Sequence, residues 1–336
     1  ILDFSHRKFF DAQTYTAITF LDKKPNDAIL YDRIKPDQSP ESFLLNANGS
    51  TNSVKDLNVK KWRLLKQDEQ QIIRTIESLG TPIGTLFDIA VGIATLKDDV
   101  YFIDGRQEID GYYTKSTDNG TFRIEESVTR AVHKISEFTD QSQITGNTRR
   151  IICPYEIVKG TAKLIAFTDF ERNFPACLEY LISERERLAT RDKGKMVYDP
   201  FFAWGRTQGL TKQGKKILTP TFSKFPRFLL VNDEGSFFTN GYGIFFKNAP
   251  RSLFDDFSNP LSIEANMDVV QKILNSSLMH YYVTKTSFAI EGGYPCYQKN
   301  FIERFTIPLL SDDEIAEVRA MSSPTEIDRF LCEKYE

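Results

Sequence analysis

A chain of 336 residues that is 40% hydrophobic and 13% aromatic has apolar mass for one large or two ordinary cores, which excludes a disordered polymer. Its formal net charge of -3 excludes a global attraction to polyanions, so any nucleic-acid surface has to be a local patch. Four scattered cysteines (Cys153, Cys177, Cys296, Cys332) without a CxxC pair, and three histidines (His6, His133, His280), give no zinc-ligand spacing, and reduced thiols are expected. No apolar run of about 18 residues and no charged-then-apolar leader is present, so the expected location is cytoplasmic, with no membrane partner. The chain opens at Ile1 on strand-like sequence, as a piece of a longer protein would.

Along the chain, Phe9 to Leu21 alternates and is β-branched, Lys23-Lys24-Pro25-Asn26 is a turn signal, and Ala28 to Tyr31 is again strand-like; a β-hairpin is predicted. The Pro-, Ser-, Asn- and Gly-rich stretch from Pro36 to Ser53 reads as a connector. Leu65, Ile72, Ile73, Ile76 and Leu79 fall at helical spacing with Gly80 behind them, predicting a glycine-capped amphipathic helix. Gly84 to Asp104 is strand-like. Asp118-Asn119-Gly120 predicts a hairpin turn, followed by a helix from about Glu125 with Val128, Ala131, Val132 and Ile135 on one face. Ile151-Ile152-Cys153 and Leu164-Ile165 are short strand candidates. One long helix is predicted from Asp169 to Leu188, with Pro175 near its first turn, and another from Glu264 to Tyr282. Ser311-x-x-Glu314 and Ser323-Pro324-x-Glu326 are two capping boxes, predicting two closing helices.

A complete methyltransferase would show a glycine-rich donor turn and an Asn/Asp-Pro-Pro-aromatic tetrapeptide. Asp199-Pro200-Phe201-Phe202 lacks the second proline and reads as a turn entering a strand; Gly241-Tyr242-Gly243 lacks a following helix and reads as a hairpin or a close-packed strand. A metal nuclease could use Asp11 with Asp22-Lys23-Lys24, although a solvated turn explains that pattern as well. No histidine has a nucleophile arrangement around it.

The stretch from Phe201 to Asn232 differs, because it contains no Asp or Glu while carrying Arg206, Lys212, Lys215, Lys216, Lys224 and Arg227. Within Trp204-Gly-Arg206-Thr-Gln208-Gly209, lysines downstream can neutralise phosphates and Arg206 and Gln208 can address guanine and adenine edges in paired hydrogen bonds. Weaker patches are Arg149-Arg150 and the phrase Gly292-Gly293-Tyr294-Pro295-Cys296-Tyr297-Gln298-Lys299. A solvated basic loop is the competing explanation.

Taken in order, Phe87 to Leu96, Arg150 to Tyr155, Glu179 to Leu188 with Arg191 to Gly194, Trp204 to Leu210, Ile273 to Ser276, Gly292 to Pro295 and Phe305 to Pro308 resemble the C-terminal half of TaqI-like type II adenine-specific DNA methyltransferases, especially large fused restriction-modification polypeptides. The resemblance implies a target-recognition domain for double-stranded DNA. It also implies a partner methyltransferase domain or subunit, outside this chain, that flips adenine and methylates its N6 from S-adenosylmethionine. Under it, Arg206, Gln208, Tyr294, Tyr297 and Lys299 match the family's phrases, as scaffold or as base readers.

The expected fold is α+β: residues 1–35 as terminal strands of a methyltransferase sheet, 36–63 as connector, 64–310 as the recognition domain and 311–336 as C-terminal helices. The expected DNA contacts are Arg149, Arg150, Arg206, Gln208, Lys212, Lys215, Lys216, Tyr294, Tyr297 and Lys299, with no catalytic residue, metal or cofactor held by this chain. The alternatives are a metal nuclease or divergent methyltransferase, and a protein-interaction module of a restriction-modification assembly.

Overall fold

The computed structural model describes residues 1–5, 7–11, 15–57, 62–106, 108–247, 266–290 and 292–335. It is a mixed α and β protein of short sheets and short helices, and the chain forms two compact units: residues 1–86, 222–226 and 251–336, and residues 87–221 with 227–250. His6 lies outside the described residues, as does the start of the helix expected from Glu264.

In the first unit, the expected hairpin does not form. Ala17–Ile18 and Ala28–Arg33 are separated by Leu2–Asp3, in a sheet completed by Ser50–Ser53. The first strand wins this place because its backbone ties directly to Ala28–Arg33: the Ile1 ammonium donates to the Leu30 carbonyl (2.7 Å) and the Asp32 amide to Ile1 O (3.1 Å). Asp22, the possible metal ligand, accepts the Lys24 amide (3.1 Å) in a turn. The stretch read as a connector carries structure of its own, a helix Pro40–Leu45 started by the Ser39 hydroxyl and the strand Ser50–Ser53.

The helix Gln67–Ser78 forms as its spacing predicts, burying Ile73 and Ile76. Glycine follows it for two reasons: Gly80 has φ +99°, and a Cβ there would sit 2.2 Å from the Ile307 carbonyl oxygen. The single helix expected as far as Tyr282 is instead two, Met267–Leu274 and Ser277–Thr286. Ser276 causes the break, its hydroxyl accepting the Met279 amide (3.2 Å) and starting a new helix. The box Ser311/Glu314 caps Asp312–Ala320 as expected, and Pro324–Tyr335 begins on its proline.

The second unit is built from mostly antiparallel strands around an aromatic core, with Thr129–Lys134 and Phe237–Thr239 paired in parallel. One sheet runs in the order Leu229–Val231, Lys216–Pro220, Gly241–Phe246, Phe87–Val91; another in the order Phe237–Thr239, Thr129–Lys134, Arg149–Ile152, Phe102–Asp104. The helix expected from Glu125 is thus a strand, Thr129–Lys134. Its backbone is claimed on both edges by neighbours distant in sequence, and that pairing outweighs an apolar spacing that suited a helix. The Asp118-Asn119 turn does join the predicted hairpin, Tyr112–Thr117 with Gly120–Glu125.

The long helix expected from Asp169 to Leu188 is three pieces, Phe167–Asn173, Pro175–Ser183 and Arg185–Ala189. Pro175 has no N–H to continue the first, so it opens the second at its first position. The buried Glu125 carboxylate substitutes for a local cap there, accepting the Ala176 and Cys177 amides at 2.8 Å each. Among the described residues, no helix is long and apolar enough to cross a membrane.

Candidate nucleic-acid interface

The loop that begins at Trp204 is held by backbone rather than by its polar side chains. Trp204 is almost fully buried, donating its indole N–H to Ile152 O (3.2 Å) and its amide to the Tyr155 hydroxyl (2.9 Å), with its ring edge-on to Tyr101 and Phe237. From this anchor the chain runs along residues 91–96: Gly205 N donates to Thr95 O (2.9 Å) and Arg206 N to Ala94 O (3.0 Å). Glycine is required twice. A Cβ at Gly205 would lie 2.4 Å from the Leu96 side chain, and Gly209 has φ +72° with Val91 O 2.9 Å from its Cβ position.

The outcome is an Arg206 whose backbone is fixed and whose side chain is exposed, with no hydrogen-bond or ion-pair partner among the described residues. It lines, with Thr207, Tyr155, Tyr198, Asp199 and Trp204, a recess of 450 Å³ that presents both donors and acceptors. Gln208 is exposed too, but its amide N–H donates to Gly92 O (3.2 Å). That bond takes one of the two amide N–H donors and leaves the other with the Oε1 acceptor.

The lysines that follow divide sharply. Lys215 is half-buried, with no hydrogen-bond or ion-pair partner among the described residues, and Lys212 pairs with Asp88 at the surface. Lys216 is completely buried, its ammonium donating to Gly214 O (3.0 Å) and Asp233 O (2.8 Å). It stitches a turn and presents no charge to a phosphate, which corrects its expected role. Burial pushes its pKa down to about 8, and that of Lys115, which caps carbonyls of 99–102, to about 8 as well. An unfolded lysine titrates near 10.4. Between about pH 8 and 10.4 the unfolded chain therefore holds protons that the folded chain has released, so these groups make stability rise with pH across that window. Denaturant melts at pH 8 and pH 9.5 should show a smaller rise for Lys216→Met than for the native chain; parallel profiles would contradict this.

Arg149 and Arg150 hold their own sheet. Arg149 pairs with Glu137 (2.7 Å), and Arg150 donates to the Thr129 hydroxyl (2.7 Å) with its guanidinium over the Tyr113 ring. In the first unit, Tyr294 and Lys299 are exposed, whereas Tyr297 is fully buried with its hydroxyl 3.2 Å from His280 Nδ1. A buried Tyr297 cannot touch DNA, so its expected contact becomes a packing role. His133 lies on a strand, its Nδ1 3.3 Å from Phe237 O, and desolvation lowers its pKa.

Neither methyltransferase look-alike forms a donor cradle. Gly241 opens the strand Gly241–Phe246 and Gly243 lies within it, and a Cβ would meet Thr219 O at 2.3 Å at the first and the Phe238 ring at 2.6 Å at the second, so both are packing glycines. Asp199 to Phe202 is a turn. These residues do not fit S-adenosylmethionine, and no step of a methyl transfer is assigned to them. Among the described residues, no group of three or more His, Cys, Asp or Glu is placed to hold a metal ion.

Sequence comparison then gives this loop a context. The chain is similar to a restriction-modification enzyme. It is 21% identical over 332 residues to the type II restriction enzyme and methyltransferase RM.Eco57I of Escherichia coli, an alignment covering 92% of this chain and 32% of that relative. The chain thus spans about a third of the length of the curated relative it matches. A solved structure of the type IIL restriction-modification enzyme MmeI in complex with DNA matches 93% of this chain and 41% of that chain, with a TM-score of 0.39 and 12% identity. No family model matches.

Two residues escaped the sequence reading. Arg191, quoted only as part of a phrase, is buried and donates to the carbonyls of Leu188 (2.8 Å), Phe201 and Ala203 and to the Tyr101 hydroxyl (3.1 Å). The other is Phe225, 69% exposed beside Lys224. An arginine aimed inward leaves no trace in sequence, but an aromatic inside an acid-free basic stretch was a readable signal.

Proposed function

We propose that this chain reads a short sequence in double-stranded DNA as the target-recognition part of an adenine-N6 methyltransferase of a restriction-modification system. The observation that carries the reading is Arg206: a guanidinium with no partner among the described residues, on a backbone locked by the Ala94 bridge, inside an acid-free basic stretch. An unpartnered arginine on a fixed backbone suits a bidentate contact to guanine O6 and N7 in the major groove. Lys215 and Lys212 supply phosphate contacts that set position without selecting sequence.

The similarity to RM.Eco57I supports a role in restriction-modification. Methyl transfer from S-adenosylmethionine to the flipped adenine then falls to a domain or subunit outside this chain, which is also its partner. With a net charge of -3, affinity rests on the local patch and falls steeply as salt rises. Titration of a labelled duplex at increasing salt should give a straight line of log affinity against log salt with negative slope. A chain that binds no duplex at low ionic strength would overturn the reading.

A further inference from the structure

The segment Phe222 to Pro226 is laid onto the phrase that begins at Gly292. Ala289–Ile290 and Tyr294–Pro295 form a two-stranded hairpin turned by Gly292 (φ +86°) and Gly293 (φ +73°). Ser223 N donates to Pro295 O (3.3 Å), and Phe222 bridges to Cys296. This pairing fixes the backbone just before Lys224 and Phe225, and Pro226 restricts it just after.

The Phe225 ring stands 69% exposed, seated on the His280 imidazole at 5.8 Å between ring centroids. His280 is in turn held by the buried Tyr297 hydroxyl (3.2 Å). Beside it, Lys224 lies over the ring of Tyr294 (5.4 Å), and Phe288, 45% exposed, packs on Phe222. An isolated exposed phenylalanine is ordinary. Here, however, the ring is buttressed from beneath, clamped along the chain and flanked by a cation, in a patch with two further exposed aromatic rings. A rigid aromatic face with an adjacent ammonium matches one occupant well, a nucleobase with its phosphate.

We propose that Phe225 stacks on a nucleobase at an opened base step of the bound duplex while Lys224 contacts the neighbouring phosphate, the Gly292–Tyr297 phrase acting as their platform. This rests on the duplex-binding reading above. It also reassigns the phrase: Tyr297 works through His280 as a positioning residue, and the contacts lie on Lys224 and Phe225.

The test uses the full chain and duplexes carrying 2-aminopurine at successive steps. Phe225→Ala should weaken binding roughly tenfold with an unchanged salt slope, and should abolish the 2-aminopurine fluorescence increase that the native chain produces at one step. Phe225→Tyr should retain both. Lys224→Ala should reduce the salt slope by about 1. Circular dichroism and thermal melts establish that each variant is folded. If the native chain binds duplex and Phe225→Ala binds it equally, with the same fluorescence, the stacking role is overturned and the DNA-reading function stands. If the native chain binds no duplex, both fall together.

Discussion

Arg206→Ala should lower affinity for a preferred duplex by about 1–3 kcal/mol, while binding to random duplex falls far less. The asymmetry follows from geometry. Arg206 is exposed and its backbone position comes from the Ala94 bridge and the glycines around it, so removing its side chain leaves the loop intact. What is lost is a guanidinium fork presented from a backbone position that folding has already fixed. Lys215→Ala is the control: it should weaken both duplexes alike and reduce the salt slope by about 1. Equal losses for Arg206→Ala on both duplexes would place that arginine on a phosphate.

The second large effect concerns stability. Arg191 is 2% exposed and its guanidinium satisfies three backbone carbonyls and a tyrosine hydroxyl while lying over the Tyr198 ring at 4.0 Å. Arg191→Ala removes the donor to Phe201 O, leaves Leu188 O to the Thr190 amide and Ala203 O to the Tyr101 hydroxyl alone, and opens a void beside Tyr198 inside the second unit. A loss of about 3–5 kcal/mol is expected in urea denaturation. Arg191→Lys should recover little of it, because one ammonium cannot reach what a planar fork reaches. Two of those acceptors, Phe201 O and Ala203 O, immediately precede the reading loop, so the variant should also bind duplex less well. A loss below about 1 kcal/mol would show that the surrounding carbonyls find other donors.

Local signals were legible in the sequence where local chemistry decides. The helix Gln67–Ser78, the hairpin turned at Asp118-Asn119 and the Ser311/Glu314 cap depend on residues within a turn of one another. The strand Thr129–Lys134 did not read as a strand because its identity comes from partners near residues 149 and 237, and Leu2–Asp3 enters between two predicted strands for the same reason. In the interface, Lys215 and Lys216 are adjacent and chemically identical, yet one is half-buried without a partner and the other is fully buried. Lys215 lies in the bend before the strand Lys216–Pro220, all of whose residues are buried, and the strand's start at Lys216 was not visible in composition. Trp204 and the glycines of its loop were visible as a pattern, but their purpose, packing against residues 91–96, needed the fold.

The central claim is that this chain carries sequence preference of its own. The most direct measurement is selection from a library of randomised duplexes with the chain at moderate salt, followed by affinities for the enriched site and for a scrambled one. The account predicts enrichment of one short motif and tighter binding to it than to the scrambled duplex, with that difference reduced in Arg206→Ala. Recovery of an unenriched library, or equal affinity for both duplexes, would contradict it.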